Sequence, residues 1–276
     1  MRKIHLVPNG ITAFALCCGL FVIFKANMLD PTAGAYQFMH ASAMLLLLAA
    51  FADLLDGAVA RVMHAESEFG VMFDSLADAV SFGVAPSVLM LKSLSLEQGT
   101  GLSFFAVIGA MLFSLCGILR LVRYNVKAAE AKGDVVLMAA QKKHFTGLPI
   151  PAGALAAVSL NLLLTEPLLD KWLPLTETSK VVILSCAMIV LGFFMVSHWK
   201  FPSLKVLHFR VPSFYLVFST VLLALFILYG IFYFFSLILA VVCWGYVGLG
   251  WVLSIIRLIA GSKSKTLEDF EPEEEE

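Results

Sequence analysis

Four aspartates stand out in the sequence because they interrupt two strongly apolar stretches. Asp53 and Asp56 lie in one stretch, and Asp74 and Asp78 lie in the next. Four carboxylates that come together cannot all ionise without a compensating positive charge. A set of oxygen ligands without His or Cys suits hard divalent cations, Mg²⁺ or Mn²⁺, and suits Zn²⁺ poorly. The residue types therefore predict a divalent-metal site.

The spacing of these acids predicts that they meet. Asp53 and Asp56 are three residues apart and Asp74 and Asp78 are four apart, so each pair shares one face of a helix. The polar segment 64–68 lies midway between the pairs and is typical of a turn. Two antiparallel helices joined there place the acids at matched depth, and at ~1.5 Å per residue Asp53 lies about 12 Å from the turn. We therefore expect the four acids to converge near one membrane surface.

The elements that carry the acids are predicted to be membrane helices. The chain has 276 residues, of which 60% are hydrophobic and 14% charged, and its mean hydropathy is +0.91. Soluble domains average roughly 25% charged residues, so the surplus apolar surface must face lipid. Carboxylates inside a membrane cost about 2.5–3.5 kcal/mol each on insertion scales, and such acids usually mark functional sites. The net charge of −1 argues against a nucleic-acid partner.

Eight apolar stretches are long enough, or nearly so, to cross a bilayer, and they predict an all-α polytopic membrane protein. They cover 6–24, 38–60, 70–91, 102–125, 149–165, 180–198, 212–229 and 231–257. When the ends of the spans alternate between the two sides, all but four of the 19 basic residues fall on the side of the N-terminus. The four exceptions are Lys25, Lys92, Lys171 and Lys180. The positive-inside rule then assigns both termini to the cytoplasm and the protein to the cytoplasmic membrane.

The acidic motif resembles the signature of the CDP-alcohol phosphatidyltransferase family. It runs Asp53-x-x-Asp56-Gly57-x-x-Ala60-Arg61 and, after eight residues, Gly70-x-x-x-Asp74-x-x-x-Asp78. The resemblance implies a six-helix membrane core, usually homodimeric, in which an alcohol displaces CMP from a CDP-linked lipid. We accordingly expect a core over 1–198, an additional transmembrane hairpin over 199–260 and a disordered acidic tail over 261–276.

The resemblance also implies roles for individual residues. It makes Asp53, Asp56 and Asp74 ligands of two divalent ions, and makes Asp78 both the base for the alcohol proton and a further metal ligand. The residues implied in CDP binding are Asn9, Thr12, Asp53, Gly57, Arg61 and Gly70. Two of these assignments have simpler alternatives, because the glycines also favour close helix packing, and Asn9 and Thr12 also support a helix start after a proline.

Three further segments resemble the phosphatidylserine synthases within this family. They are 81–86, 120–125 and 145–152. This likeness implies CDP-diacylglycerol and L-serine as substrates, with Arg120, Arg123 and Asn125 binding serine at the end of the fourth span. The alternative for the arginines is anchoring at the membrane edge. Two other functions stay open: glycerol 3-phosphate or inositol phosphate as acceptor, and an ion-coupled transporter whose path the acids would line.

Overall fold

The computed structural model describes residues 6–28, 35–63, 65, 67–94, 96, 99–130, 145–172, 174–197, 199–201 and 234–260. The described chain is a helical bundle. Its helices are α1 (Leu6–Met28), α2 (Ala35–Val62), α3 (Glu68–Asp78), α4 (Ala85–Ser93), α5 (Gly101–Glu130), α6 (Ile150–Leu164), α7 (Pro167–Trp172), α8 (Glu177–Val196) and α9 (Phe235–Ala260). Two short strands, β1 (Phe145–Thr146) and β2 (Lys200–Phe201), pair antiparallel.

Six spans in the described residues are long and apolar enough to cross a membrane, which confirms the all-α polytopic class. They are Leu6–Met28, Tyr36–Val62, Glu68–Ser93, Gly101–Lys127, Glu177–Val196 and Phe235–Ile256. Helix α6 is shorter, and its 15 residues rise only about 22 Å, less than the ~30 Å of a bilayer core. The predicted span over 212–229 and the predicted tail over 261–276 lie outside the described residues.

The third span is not a continuous α-helix. A π-helical segment, Ala79–Val84, joins α3 to α4 directly after Asp78. Within it, Ser81 Oγ donates to the carbonyl of Ala15 at 3.2 Å, and Ser114 Oγ donates to the carbonyl of Gly83 at 2.9 Å. These hydroxyls help to satisfy backbone groups in a region where water is scarce.

Small residues bring the helices of the core close together. At Gly109 of α5 an added Cβ would lie 3.1 Å from the carbonyl oxygen of Ser185 in α8. At Gly192 of α8 it would lie 3.3 Å from the Cα of Phe113 in α5. Because lipid offers little hydrophobic drive for helix association, this close backbone approach is what lets the two helices pack.

Helix α9 lies on the outside of the core and packs against α6. The indole Nε1 of Trp244 donates to the carbonyl of Ala156 at 3.1 Å. At the start of α9, Ser236 donates to the Glu166 carboxylate, which also accepts from the Tyr36 hydroxyl at 3.1 Å. Contacts at the start and in the first half of α9 therefore fasten it to α6, α2 and the turn after α6.

The ends of the spans separate into two groups, as the sequence predicts for alternating helices. One group joins the start of α1, the turn between α2 and α3, the end of α5, the start of α6 and the end of α8. The other group contains Tyr36, Glu166 and Ser236. Residue 201 lies with the first group, because Gly147 N donates to the Trp199 carbonyl at 2.8 Å, whereas Ser236 lies with the second. The chain therefore re-enters the described region at the opposite end of the bundle.

Candidate active site

The four aspartates of α2 and α3 come together in the structure. Asp53, Asp56 and Asp74 each place one carboxylate oxygen so that the three oxygens lie within 4.8 Å of one another. The Asp53 carboxyl also interacts with those of Asp74 and Asp78. The predicted convergence of the two helix faces is therefore present in the structure.

The local sequence explains why α3 carries its two acids into this cluster. Ser67 caps the helix, since its hydroxyl accepts a hydrogen bond from Gly70 N at 3.0 Å. Starting at Glu68, the helix then turns the face that holds Asp74 and Asp78 toward α2. The cap defines where α3 begins, and its start sets the angular position of both carboxylates.

Thr12 of α1 is bound to the acid cluster itself. Its hydroxyl lies 2.6 Å from Asp56 Oδ2 and 3.1 Å from the carbonyl of Pro8, and both Thr12 and Asp56 are buried. A hydroxyl has one proton, so it donates to only one of these acceptors at a time. The short Thr12–Asp56 contact orients this carboxylate from a third helix.

The two motif glycines have different surroundings. An added Cβ at Gly70 would lie 3.1 Å from Ser67 Oγ and 3.2 Å from Asn9 Oδ1, so this glycine permits close packing of α1 on α3. At Gly57 the nearest described heavy atom is Nη1 of Arg61, 3.9 Å away. Close packing among the described residues thus accounts for Gly70 and not for Gly57, which leaves open space beside the exposed Arg61.

Arg120 of α5 is a half-buried cation that interacts electrostatically with the cluster. Its guanidinium lies in the electrostatic field of Asp78, and its Nε is buried without a hydrogen-bond partner among the described residues. A buried donor without a partner is costly, about 1–3 kcal/mol, unless something binds to it. Arg120 is therefore a candidate to bind an anionic group.

The other two predicted acceptor residues make contacts with the protein. Arg123 Nη1 donates to the carbonyl of Val196 at 2.7 Å, at the end of α8. Asn125 Nδ2 lies 2.9 Å from the hydroxyl of Ser75, the residue that follows Asp74. Arg123 thus ties α5 to α8, and Asn125 ties α5 to α3.

The donor set fits a divalent cation. Three carboxylate oxygens within 4.8 Å of one another are the ligand type that Mg²⁺ and Mn²⁺ prefer. One oxygen of the cluster, Asp74 Oδ1, is buried and has no hydrogen-bond partner among the described residues. An orphaned buried carboxylate oxygen is accounted for if a cation binds to it.

The sequence model of the CDP-alcohol phosphatidyltransferase family matches residues 5–190 of this chain. The chain belongs to the CDP-alcohol phosphatidyltransferase family. The match includes every acid of the cluster and ends before α9. It makes the protein a phosphotransferase, which replaces the transporter interpretation of the acids.

Curated relatives within the family carry the name CDP-diacylglycerol–serine O-phosphatidyltransferase. The protein from Helicobacter pylori is 31% identical over 218 residues, which cover 79% of this chain and 80% of the relative. That from Methanocaldococcus jannaschii is 35% identical over 176 residues, 64% of this chain and 71% of the relative. That from Bacillus subtilis is 30% identical over 199 residues, 72% of this chain and 91% of the relative.

Sequence reasoning missed three residues that this phosphatidyltransferase site contains or touches. Ser75 could have been found from the sequence, because a small polar residue that follows an intramembrane acid such as Asp74 is a candidate hydrogen-bond partner within the site. The role of Val196 as an acceptor for Arg123 is a backbone contact that no side-chain pattern predicts. Tyr246 of α9, which lies in the electrostatic field of Arg120, is separated from it by more than a hundred residues and has no local signal.

Proposed function

We propose that this phosphatidyltransferase uses L-serine as its acceptor and CDP-diacylglycerol as its donor, and that it makes phosphatidylserine and CMP. The observation that carries the proposal is Arg120, whose buried Nε has no hydrogen-bond partner among the described residues and whose guanidinium lies in the electrostatic field of Asp78. Serine combines a carboxylate, which an arginine fork binds well, with a hydroxyl a few atoms away. The names of the relatives point to the same acceptor.

In the proposed reaction the serine hydroxyl attacks the phosphorus that carries the diacylglycerol. The oxygen–phosphorus bond to the acceptor forms, the bond between the two phosphates of the donor breaks, and CMP leaves. Asp78 takes the hydroxyl proton. Arg120 holds the carboxylate of serine so that the hydroxyl points at the donor. Asn125 lies close to the acids of α3, and its amide oxygen accepts a hydrogen bond from the ammonium group of serine.

We assign Asp53, Asp56 and Asp74, with Asp78 at one side, to two divalent ions, Mg²⁺ or Mn²⁺. When bound, such ions neutralise the charge of the pyrophosphate and of the departing CMP. Thr12 keeps Asp56 oriented. The acid cluster is bordered on α1, α2 and α3 by four further residues, Asn9, Gly57, Arg61 and Gly70. We assign binding of the nucleotide to these residues.

The proposed reaction also requires an orientation in the membrane. We propose that the acid cluster faces the cytoplasm, with both termini on that side of the cytoplasmic membrane. The distribution of basic residues in the sequence supports this orientation. We further propose a homodimer, with a core over 1–198, a hairpin over 199–260 and a tail over 261–276.

An acceptor screen tests the proposed function. Purified protein in detergent is given CDP-diacylglycerol and divalent metal, and CMP release is measured with serine, ethanolamine, glycerol 3-phosphate or inositol phosphate. We expect release with serine and little with ethanolamine, which lacks the carboxylate. The lipid product is identified by chromatography against phosphatidylserine. Release with glycerol 3-phosphate or inositol phosphate and not with serine would overturn the serine assignment while leaving the family activity intact.

A further inference from the structure

Helices α3 and α5 are joined by a pair of polar side chains, Ser75 and Asn125. The amide Nδ2 of Asn125 donates to Ser75 Oγ at 2.9 Å, and Asn125 Oδ1 lies 3.3 Å from the same hydroxyl oxygen. Both side chains are partly buried. Ser75 lies three residues before Asp78 on α3, and helix residues at this spacing have Cβ atoms ~5–6 Å apart. The pair therefore lies about one helical turn from the proposed base.

The hydroxyl of Ser75 decides which end of the Asn125 amide turns toward it. A hydroxyl has one proton, and two acceptors compete for it, the Val71 carbonyl at 3.0 Å and Asn125 Oδ1 at 3.3 Å. The bond to Val71 is the shorter one, and it follows the usual pattern in which a helical serine bonds to the carbonyl four residues earlier. Once the proton is given to Val71, Ser75 Oγ acts as an acceptor, and Asn125 Nδ2 is the donor that it meets. The amide is thereby held with its nitrogen on Ser75 and with the lone pairs of Oδ1 available.

An amide oxygen held in this way suits an ammonium group. An ammonium group has donors and no acceptor, and its hydrogen bonds are stronger than those between neutral groups because it is charged. A carboxylate in place of the amide would also bind ammonium, but it would add a fifth negative charge near the four acids. A neutral amide supplies the acceptor oxygen without that repulsion.

We propose that Ser75 is a positioning residue of the acceptor site, which orients the Asn125 amide so that Oδ1 binds the ammonium group of the acceptor. The pair then favours acceptors that carry an amine near the hydroxyl over alcohols without an amine. This proposal rests on the proposed function, because it takes the acceptor to be serine. It assigns recognition of the ammonium group to the contact between α3 and α5, whereas Arg120 is assigned to the carboxylate.

The test compares Ser75→Ala with wild type in the intact chain. It measures KM and kcat for serine, and the inhibition constant of 3-hydroxypropanoate, which is serine without its ammonium group. We expect KM for serine to rise roughly 10-fold, the order expected for weakening one hydrogen bond to a charged group. The inhibition constant of 3-hydroxypropanoate and the KM for CDP-diacylglycerol should stay close to wild type, because neither molecule uses the amide oxygen.

Two further variants separate positioning from simple packing. Ser75→Thr keeps the hydroxyl and should restore the KM for serine. In an Asn125→Ala background Ser75→Ala should add little, since the group that it orients is gone. Should Ser75→Ala fail to fold, Ser75→Cys replaces it, because a thiol is of similar size and only a weak acceptor.

Ser93→Ala is the matched control at the other end of the same span. The Ser93 hydroxyl donates to the carbonyl of Met90 at 2.8 Å, so this variant also removes a bond from a serine to its own helix, and it should leave the KM for serine unchanged. The inference alone is wrong if Ser75→Ala lowers only the thermal midpoint, or if it raises the KM for serine and the inhibition constant of 3-hydroxypropanoate by the same factor. Wild type that releases CMP with glycerol 3-phosphate and not with serine would overturn the proposed function, and the inference with it.

Discussion

At the scale of single residues, the four aspartates have the same chemistry but different surroundings. Asp56 is buried and bound by Thr12, while Asp74 keeps one buried oxygen without a hydrogen-bond partner among the described residues. Asp78 is the acid whose charge acts on Arg120. These differences support the proposal that Asp56 and Asp74 hold cations and that Asp78 serves the acceptor hydroxyl.

Asp78→Asn should lower kcat about 10²–10⁴-fold, the usual contribution of a general base, because an amide cannot take the proton. The side chain keeps its size, so binding of CDP-diacylglycerol should be nearly unchanged. Steady-state CMP release and equilibrium nucleotide binding measure the two effects. Asp53→Asn is the comparison, and it should raise the metal concentration needed for half-maximal activity. Loss of nucleotide binding alone in Asp78→Asn would make this residue a ligand and not the base.

The two arginines at the end of α5 should respond differently to substitution by Lys. Arg120→Lys removes the fork from the proposed carboxylate site and should raise KM for serine about 10-fold or more. Arg123→Lys should mainly lower the thermal midpoint, because it weakens the contact with the end of α8. Both changes keep the charge at the membrane edge. Serine titrations and thermal unfolding in detergent separate the two, and equal serine KM values for both variants and wild type would place the serine site elsewhere.

At the scale of elements, the site depends on how α1, α2 and α3 are joined. Ser67 caps the start of α3, and the π-helical segment Ala79–Val84 interrupts the α-helix directly after Asp78. Ser81 in that segment is hydrogen-bonded to α1. A wide π turn displaces the chain that follows, and such turns are frequent at functional sites. The helix that carries the proposed base is thus held both before and after its two acids.

Divalent metal should join α2 to α3 as well as support activity. Chelation with EDTA should abolish CMP release, and Mg²⁺ or Mn²⁺ should restore it. Metal should also raise the thermal midpoint of wild type, because it removes the repulsion among carboxylates of the two helices. In Asp74→Asn this rise should be much smaller. Full activity in metal-free buffer would contradict the two-metal site.

The packing of α1 on the π-helical segment leaves no room for a side chain at Gly19. An added Cβ would lie 2.7 Å from the Cα of Ser81, which is backbone and cannot rotate away. Gly19→Ala should therefore destabilise the fold by about 1–3 kcal/mol, the usual cost of overpacking. Gly10→Ala, on the same helix, meets no described atom within 4 Å and should be neutral or slightly stabilising. The two variants are compared by thermal unfolding in detergent. Equal thermal midpoints would mean that α1 shifts to accommodate the added methyl group, which would contradict the prediction.

At the scale of the whole molecule, the acid cluster and a second polar network lie at opposite ends of the bundle. The acids, the arginines and the β1–β2 pair lie at one end. The network of Tyr36, Glu166 and Ser236 lies at the other, where it joins α2, α9 and the turn after α6. An acceptor from the cytoplasm reaches the site only if the end that carries the acids faces that compartment.

Cysteine labelling tests this orientation. In a variant that lacks the five native cysteines, Met63→Cys lies near the acids and Glu177→Cys lies at the opposite end. Both positions are exposed. A membrane-impermeant maleimide applied to intact cells should label Glu177→Cys and leave Met63→Cys unlabelled until the membrane is opened. The reverse pattern would place the acids outside the cytoplasm.

The sequence by itself determined the membrane class, the spans now described and the meeting of the four acids. These features depend on composition and on spacings of three or four residues, which helix geometry converts directly into shared faces. The span over 212–229, the orientation, the dimer and the role of each site residue stay predictions.

Only the tertiary structure decided which side chains surround the acids. Thr12 reaches Asp56 from another helix, and Arg123 is bonded to α8, whereas Arg120 Nε has no hydrogen-bond partner among the described residues. The π turn after Asp78 also has no local signature, because packing against α1 and α5 satisfies its backbone. These contacts join residues far apart in the chain, so they depend on how the helices pack and not on any pattern within one helix.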